Sequence, residues 1–283
     1  MKLTWSIFPK FFKHLSVDQL AGMIAETGLD TTNLVIRDGY WVELKTLAQS
    51  VPAFVKAMDS HGLKVHFATA GFSPSFVCEN PDSLQILSDN GIKEFRMSYF
   101  RQGDMSAAQA LQKAREELEQ MIPVCEKAHI KAVYQLHHGT LIPNSFAVHK
   151  IIDGLPSKHI GVMLDPGNQA WEGWENWDRA LDLLGDYACS FGIKDTLLIR
   201  NAGDSDSADK GWKRDWCSCA EGTINWHEVF GAIKNHAFEG TLVFMPFYHS
   251  NNPDKLTKTL KQEVAYLRNV CTEVTHELEV QHV

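Results

Sequence analysis

The chain has 283 residues, 44% of them hydrophobic and 22% charged, which are globular values in a chain long enough to bury roughly three quarters of its extended surface around one core. A net charge of -8 without a Lys/Arg cluster opposes nonspecific attraction to nucleic acid or anionic membrane, and no run approaches ~18 uninterrupted apolar residues. The six cysteines follow neither a disulfide framework nor a zinc spacing, since Cys217-Ser218-Cys219 has no second pair, so free thiols of a cytoplasmic protein are the economical expectation.

The amino terminus reads as a first strand at 2–7. Ser16 can cap a helix whose apolar face is Val17, Leu20, Met23 and Ile24, and Gly28 ends it. A strand at 32–36 follows, then a helix near 44–60 closed by His61-Gly62 and a strand at 63–68. A helix near 81–89 ends at Asn90-Gly91 before a strand at 92–99. Residues 106–128 carry Leu111, Ala114, Leu118, Met121, Ile122 and Cys125 at helical spacing. Strands at 131–136 and 160–165 flank a helix near 145–153. A helix at 175–187 leads to a seventh strand at 191–199, and a polar excursion at about 200–222 precedes a helix at 225–236. The last strand, 240–245, is followed by a C-terminal helix at about 254–277.

Eight strands alternating with helices predict a parallel sheet, because parallel neighbours need crossover connections. Closing it at eight removes both edges and gives an α/β fold, a (β/α)8 TIM barrel spanning 1–283 as one domain. An open doubly wound sheet would carry a glycine-rich turn after its first strand, where this chain has Phe8-Pro9-Lys10-Phe11-Phe12. No Walker motif, nucleophile elbow or HExxH occurs.

In such a barrel, function concentrates at the carboxyl ends of the strands. Strand six ends Met163-Leu164-Asp165-Pro166-Gly167-Asn168, placing Asp165 at the mouth as a base or hydroxyl-binding group; a helix or turn cap is the competing account. Strand five ends Tyr134-Gln135-Leu136-His137-His138-Gly139, and alternation sends Gln135 and His137 to one side and Leu136 and His138 to the other. Lys194 and Asp195 sit on strand seven, with Asp165 the natural partner for Lys194. His66 and Arg96 are further candidates from strands three and four, Arg96 lying halfway along its strand. Trp171, Trp174, Trp177, Trp212, Trp216 and Trp226 follow strands six and seven, and flat indoles suit the apolar face of a sugar ring. The run Asp204-Ser205-Asp206-Ser207-Ala208-Asp209 reads as a solvated loop, lacking the glycine and terminal glutamate of an EF-hand loop.

With Gly28-Leu29-Asp30, Gly62-Leu63-Lys64-Val65, Tyr134 to Gly139, Gly161 to Asp165, Glu172-Gly173, Lys194-Asp195, Glu221-Gly222 with Trp226, and Phe238-Glu239-Gly240 in this order, the chain resembles the sugar phosphate isomerase/epimerase superfamily, the xylose isomerase-like TIM barrels, over roughly 1–275. That resemblance implies a divalent metal held by glutamates, an aspartate and a histidine at strand ends, and a proton or hydride shuttle on a sugar. By position, the aspartate is Asp165. The strand-five glutamate looks like Gln135, the histidine of the strand-six turn like Asn168, the strand-seven histidine falls at or near Gly192, and the strand-eight glutamate near Phe247 in Met245-Pro246-Phe247-Tyr248. A dedicated high-affinity metal site is therefore not expected, which leaves room for weak divalent-metal binding only.

The resemblance and the residues together predict a sugar or sugar-phosphate isomerase/epimerase-like enzyme that transfers a proton next to a carbonyl in an altered site that need not hold a metal. His137, Asp165 and Lys194 would act on the chemistry, with His66, Arg96, Gln135, Asn168, Trp171 and Glu221 binding substrate. The alternative is a noncatalytic carbohydrate-binding or protein-interaction barrel that has lost the ancestral metal site. The expected partner is a small carbohydrate or polyol, not nucleic acid or membrane, and the exposed helices permit a homodimer.

Overall fold

The computed structural model describes residues 2–200, 211–247 and 252–276. In chain order the elements are β1 (Leu3–Ile7), α1 (Val17–Thr27), β2 (Thr31–Thr32), β3 (Leu34–Val35), α2 (Leu47–Ser60), β4 (Phe67–Thr69), α3 (Pro74–Glu79), α4 (Asp82–Asp89), β5 (Glu94–Arg96), α5 (Ala107–Lys127), β6 (Lys131–Gln135) and α6 (Ser145–Ile152). There follow β7 (Ile160–Leu164), α7 (Pro166–Glu172), α8 (Trp177–Leu184), β8 (Ala188–Ile193), β9 (Asp195–Arg200), β10 (Trp212–Cys217), α9 (Trp226–Asn235), β11 (Gly240–Phe244) and α10 (Pro253–His276). The main sheet runs β2-β1-β11-β8-β7-β6-β5-β4-β3, and every pairing in it is parallel.

The two ends of that order are one strand interrupted at Asn33, so the sheet closes into a TIM barrel with eight staves. Asn33 staples the seam: its backbone N–H donates to Ile7 O at 2.8 Å, its Oδ1 accepts from Ser6 Oγ at 2.8 Å, and its Nδ2 donates to Thr69 Oγ1 at 3.4 Å. Burying this amide is tolerated because its polar atoms are paired.

Helix starts follow local chemistry. Ser16 and Gln19 form a reciprocal capping box on α1, and Gly28 ends that helix at φ +78°, a left-handed conformation that glycine adopts without a Cβ penalty. Ser106 and Gln109 repeat the capping box on α5. Outward-facing strand residues such as Trp5, Phe95, Tyr134, Leu164 and Phe244 pack under the helices in one core. Inside the barrel, Phe8, Val35, Phe67, Val133, Met163, Cys189, Val243 and Met245 form a separate apolar cluster. That cluster insulates a polar carboxyl-end layer from a polar amino-end layer, as the layered filling of such barrels requires.

Several boundaries differ from the sequence expectation. Strand three starts at Phe67 rather than residue 63, so His66 precedes it and lies at the amino end of the barrel, opposite the mouth. Strand four is only Glu94–Arg96, which makes Arg96 its last residue instead of its middle. Strand seven ends at Ile193; Leu197 and its neighbours belong to an antiparallel hairpin, β9 with β10, that leaves the barrel after Lys194. Part of the expected excursion at 200–222 is therefore β-structure, and the Asp/Ser run at 204–209 lies outside the described residues. The helix expected near 81–89 is preceded by a further short one, α3.

Candidate active site

At the mouth, four strand ends converge on a hydrogen-bonded chain. Arg96 Nη1 donates to Gln135 Oε1 at 2.7 Å and to Tyr99 Oη at 2.9 Å, and Tyr99 Oη donates to the same Gln135 oxygen at 2.7 Å. Two donors on Oε1 fix the amide, so Gln135 Nε2 donates to Asp165 Oδ2 at 2.6 Å. Met245 Sδ lies 3.4 Å from that same nitrogen. Asp165 is both cap and site: Oδ1 accepts the Asn168 backbone N–H at 2.9 Å at the start of α7, while Oδ2 faces Gln135 and Lys194.

Lys194 Nζ lies 3.4 Å from Asp165 Oδ2 and donates to Asn168 Oδ1 at 2.8 Å. Asn168 is oriented by donating Nδ2 to Leu136 O at 3.0 Å, and His138 Nδ1 meets its Oδ1 at 2.7 Å. Asp165 is fully buried and Lys194 is 4% exposed. Burial pushes the Asp165 carboxyl up and the Lys194 ammonium down, each opposed by the other's charge. Burial thus favours the neutral form of each group while the partner's charge favours the charged form.

Close packing makes this geometry depend on glycines. A Cβ on Gly192 would stand 2.7 Å from Asp165 Oδ2 and 3.3 Å from Met245 Cε, and one on Gly167 would stand 2.7 Å from the Lys194 Cγ. The position at or near which the resemblance puts a histidine is filled instead by the aspartate and a methionine.

His137 and His138 do not alternate, because β6 has ended by Gln135; their rings stack at 4.5 Å. His137 Nδ1 meets His138 O at 2.8 Å, so Nδ1 carries the proton and Nε2 keeps its lone pair. Burial first, then the Lys194 charge, lowers the His137 pKa to about 3. Above the charged layer, Trp171 and Trp216 stack at 4.5 Å, and His138 packs at 5.2 Å from Trp171. Lys194 Nζ is 4.5 Å from the Trp216 ring centre and 5.3 Å from that of Phe247. The six loop tryptophans therefore divide: Trp171 and Trp216 roof the site, Trp177 and Trp226 are core, and Trp174 and Trp212 are exposed.

The fold brings together Arg96, Gln135, His137, Asp165, Asn168, Trp171 and Lys194. It does not bring in His66 or Glu221. His66 Nε2 meets Thr241 Oγ1 at 3.0 Å and lines an amino-end cavity of about 800 Å³ with Glu94 and Lys131. Glu221 is exposed on the turn after β10 and accepts from Ser218 Oγ at 2.7 Å. Asp195, beside Lys194, turns away: its carboxylate accepts backbone N–H groups of Thr196, Thr223 and Ile224 at 2.7–3.3 Å and Trp226 Nε1 at 2.8 Å, anchoring the approach to α9. Tyr99 and Met245 enter the site without having been singled out for it, and Phe247, near which the resemblance puts a glutamate, enters it as an aromatic face over Lys194. For Tyr99 a signal existed, a second polar side chain three residues past a strand-end arginine.

The described residues contain no group of three or more His, Cys, Asp or Glu side chains placed to hold a metal. The donor set at the mouth does not fit a divalent ion either, since Asp165 stands among Gln135, Asn168 and a lysine that repels a cation.

The family described as xylose isomerase-like TIM barrel matches residues 22–270, and the chain belongs to it. Among solved structures it is similar to a 3-keto-D-glucoside 4-epimerase from E. coli, at 16% identity and TM-score 0.69 over 95% of this chain and 99% of that one. It is also similar to a xylose isomerase domain protein from Alicyclobacillus acidocaldarius (11%, TM-score 0.74, 96% and 99% covered). A D-psicose 3-epimerase from Clostridium cellulolyticum H10 gives 12% identity and TM-score 0.69, with 96% and 99% covered. No curated protein sequence matches the chain. Among the described residues, no helix is long and apolar enough to cross a membrane.

Proposed function

We propose that the chain is an isomerase/epimerase-like enzyme acting on a sugar, sugar phosphate or keto-sugar, by proton transfer at the carbon next to a carbonyl. The observation that carries this reading is the buried Asp165–Lys194 pair at the carboxyl mouth, held from below by Gln135 and Asn168 and roofed by Trp216. Asp165 is the base, because burial raises its pKa while that of His137 falls to about 3, too low for an effective acceptor of a carbon-bound proton. His137 instead offers Nε2 to a substrate hydroxyl. Lys194 stabilises the oxygen on which charge develops. The two epimerases of the same fold support the reaction class.

The test is solvent exchange: ketoses, aldoses and their phosphates incubated in D2O with the protein, with deuterium incorporation followed by NMR. Exchange next to the carbonyl, lost in Asp165→Asn, is the expected result. The complete occlusion of Asp165 favours a second reading, a noncatalytic carbohydrate-binding or protein-interaction barrel. Saturable sugar binding without exchange in any member of the panel would establish that reading instead.

A further inference from the structure

Building on the proton-transfer reading above, we propose that Lys194 acts covalently, condensing with the carbonyl of an open-chain α-hydroxyketone to form an iminium that accepts the electron pair of the neighbouring C–H bond.

The surroundings of Nζ suit this chemistry. Its closest polar partner is a neutral amide oxygen, Asn168 Oδ1 at 2.8 Å, whereas Asp165 Oδ2 at 3.4 Å is already committed to Gln135 at 2.6 Å. Burial disfavours the ammonium, the Asp165 charge opposes that, and Arg96 and Lys10 add further positive charge that works with burial toward the nucleophilic amine. The remaining faces of Nζ meet Trp216 and Phe247 at 4.5 and 5.3 Å. An alkylated cation is less strongly hydrated than an ammonium and loses less on entering an aromatic cage. A protonated imine retains one N–H for Asn168 Oδ1, so that amide and the aromatic ring left in place hold the adduct as they hold the lysine. Because Lys194 is 4% exposed, a carbonyl arriving at Nζ takes the place of an indole face.

The steps balance without an oxidant or reductant. The Nζ lone pair forms a C–N bond to the carbonyl carbon as the C=O π pair moves to oxygen, and that oxygen takes the proton released from nitrogen. Asp165 in its protonated form protonates the carbinolamine oxygen, the C–O bond breaks, and water leaves behind a C=N⁺–H group. The resulting Asp165 carboxylate removes the proton from the adjacent carbon, and the C–H pair becomes the enamine double bond with nitrogen neutral. Asp165 returns the proton to that carbon, with inversion when the enamine has turned its opposite face to the carboxyl, and addition of water to the iminium then releases free Lys194 and the α-hydroxyketone.

The test uses the full-length protein with dihydroxyacetone and with D-fructose in the presence of sodium borohydride, followed by intact mass and peptide mapping. The expected product is heavier by the mass of the ketose less one oxygen, and the modification lies on the peptide containing Lys194. It is absent in Lys194→Arg and forms about a hundredfold more slowly in Asp165→Asn, which lacks the proton donor for dehydration. The wild-type protein alone decides the question, so a variant that folds poorly does not obscure it. Adducts spread over exposed lysines without enrichment at Lys194 overturn the inference. If deuterium exchange into the ketose persists in that case, the proton-transfer reading survives with Lys194 as a noncovalent cation. An adduct at Lys194 without exchange sustains the covalent site and removes the proton-transfer reading.

Discussion

Asp165→Asn tests the site through stability as well as chemistry. Asparagine is an N-cap of about the same quality as aspartate, so α7 keeps its start. The loss lies in the number of acceptors. Asp165 Oδ1 faces the Asn168 N–H at 2.9 Å, and Oδ2 faces Gln135 Nε2 at 2.6 Å with Lys194 Nζ beyond it. An asparagine has one acceptor oxygen, so whichever side receives its NH2 group places two donors head to head. Turning Gln135 over does not relieve this, because its Oε1 already accepts from Arg96 and Tyr99. One unsatisfied buried donor costs about 1–3 kcal/mol. Removing one partner of a buried ion pair costs about 3–5 kcal/mol when the other stays charged, a figure reduced here because burial already favours loss of the Lys194 proton. The expected net destabilisation is about 3 kcal/mol, measured by equilibrium urea unfolding at neutral pH with the slope unchanged. A variant within about 0.5 kcal/mol of wild type would refute the network, since that is the behaviour of a surface substitution.

The pH dependence should carry a His137 signature. Its folded pKa, about 3, lies below the ordinary 6.5, so the unfolded chain binds the extra proton between those values and stability falls on acidification. The single-site loss between about pH 7.5 and pH 5 is about 2 kcal/mol, and His137→Gln should flatten that limb in denaturant titrations; equal slopes would contradict it. Gly222→Ala would put a Cβ 1.9 Å from the Asp195 carboxyl carbon, displacing the anchor of α9. We expect a loss of about 3 kcal/mol or more, seen as a lower melting temperature, with Gly231→Ala, whose Cβ meets nothing within 4 Å, as the mild control. Finally, Mg2+ or Mn2+ at about 1 mM should shift melting by less than about 1 °C, whereas a site of micromolar affinity would add about 4 kcal/mol.

The eight-strand beat was legible because each strand is an apolar run set off by glycine or a capped helix, and that pattern is local. Where pairing stops is not local. Arg96 looked internal because the apolar character of 92–99 outlasts its hydrogen bonds to β4 and β6, and His66 looked terminal for the converse reason. Leu197, Leu198 and Ile199 read as barrel strand, but the latter two are exposed on a hairpin arm; nothing in their hydrophobicity distinguishes a stave from a projecting arm. Asp165 and Lys194 were legible as partners because neighbouring staves bring their ends together. The aromatic contact of Phe247 with Lys194 and the hydrogen bond of Tyr99 to Gln135 were not, because both residues lie past their strands and reach the site through loop geometry that periodicity does not encode.

Gly192 bears on how this site can change over generations. A single mutation toward histidine there would drive a side chain into Asp165, with its Cβ 2.7 Å from the carboxylate, and against the Met245 methyl. The substitution requires Asp165 and Met245 to shift, and a shift of Asp165 disturbs its contact with Lys194. A side chain at position 192 is therefore compatible with the site only if Asp165 and Met245 give way, which couples positions on three neighbouring staves and makes them a unit that must change together.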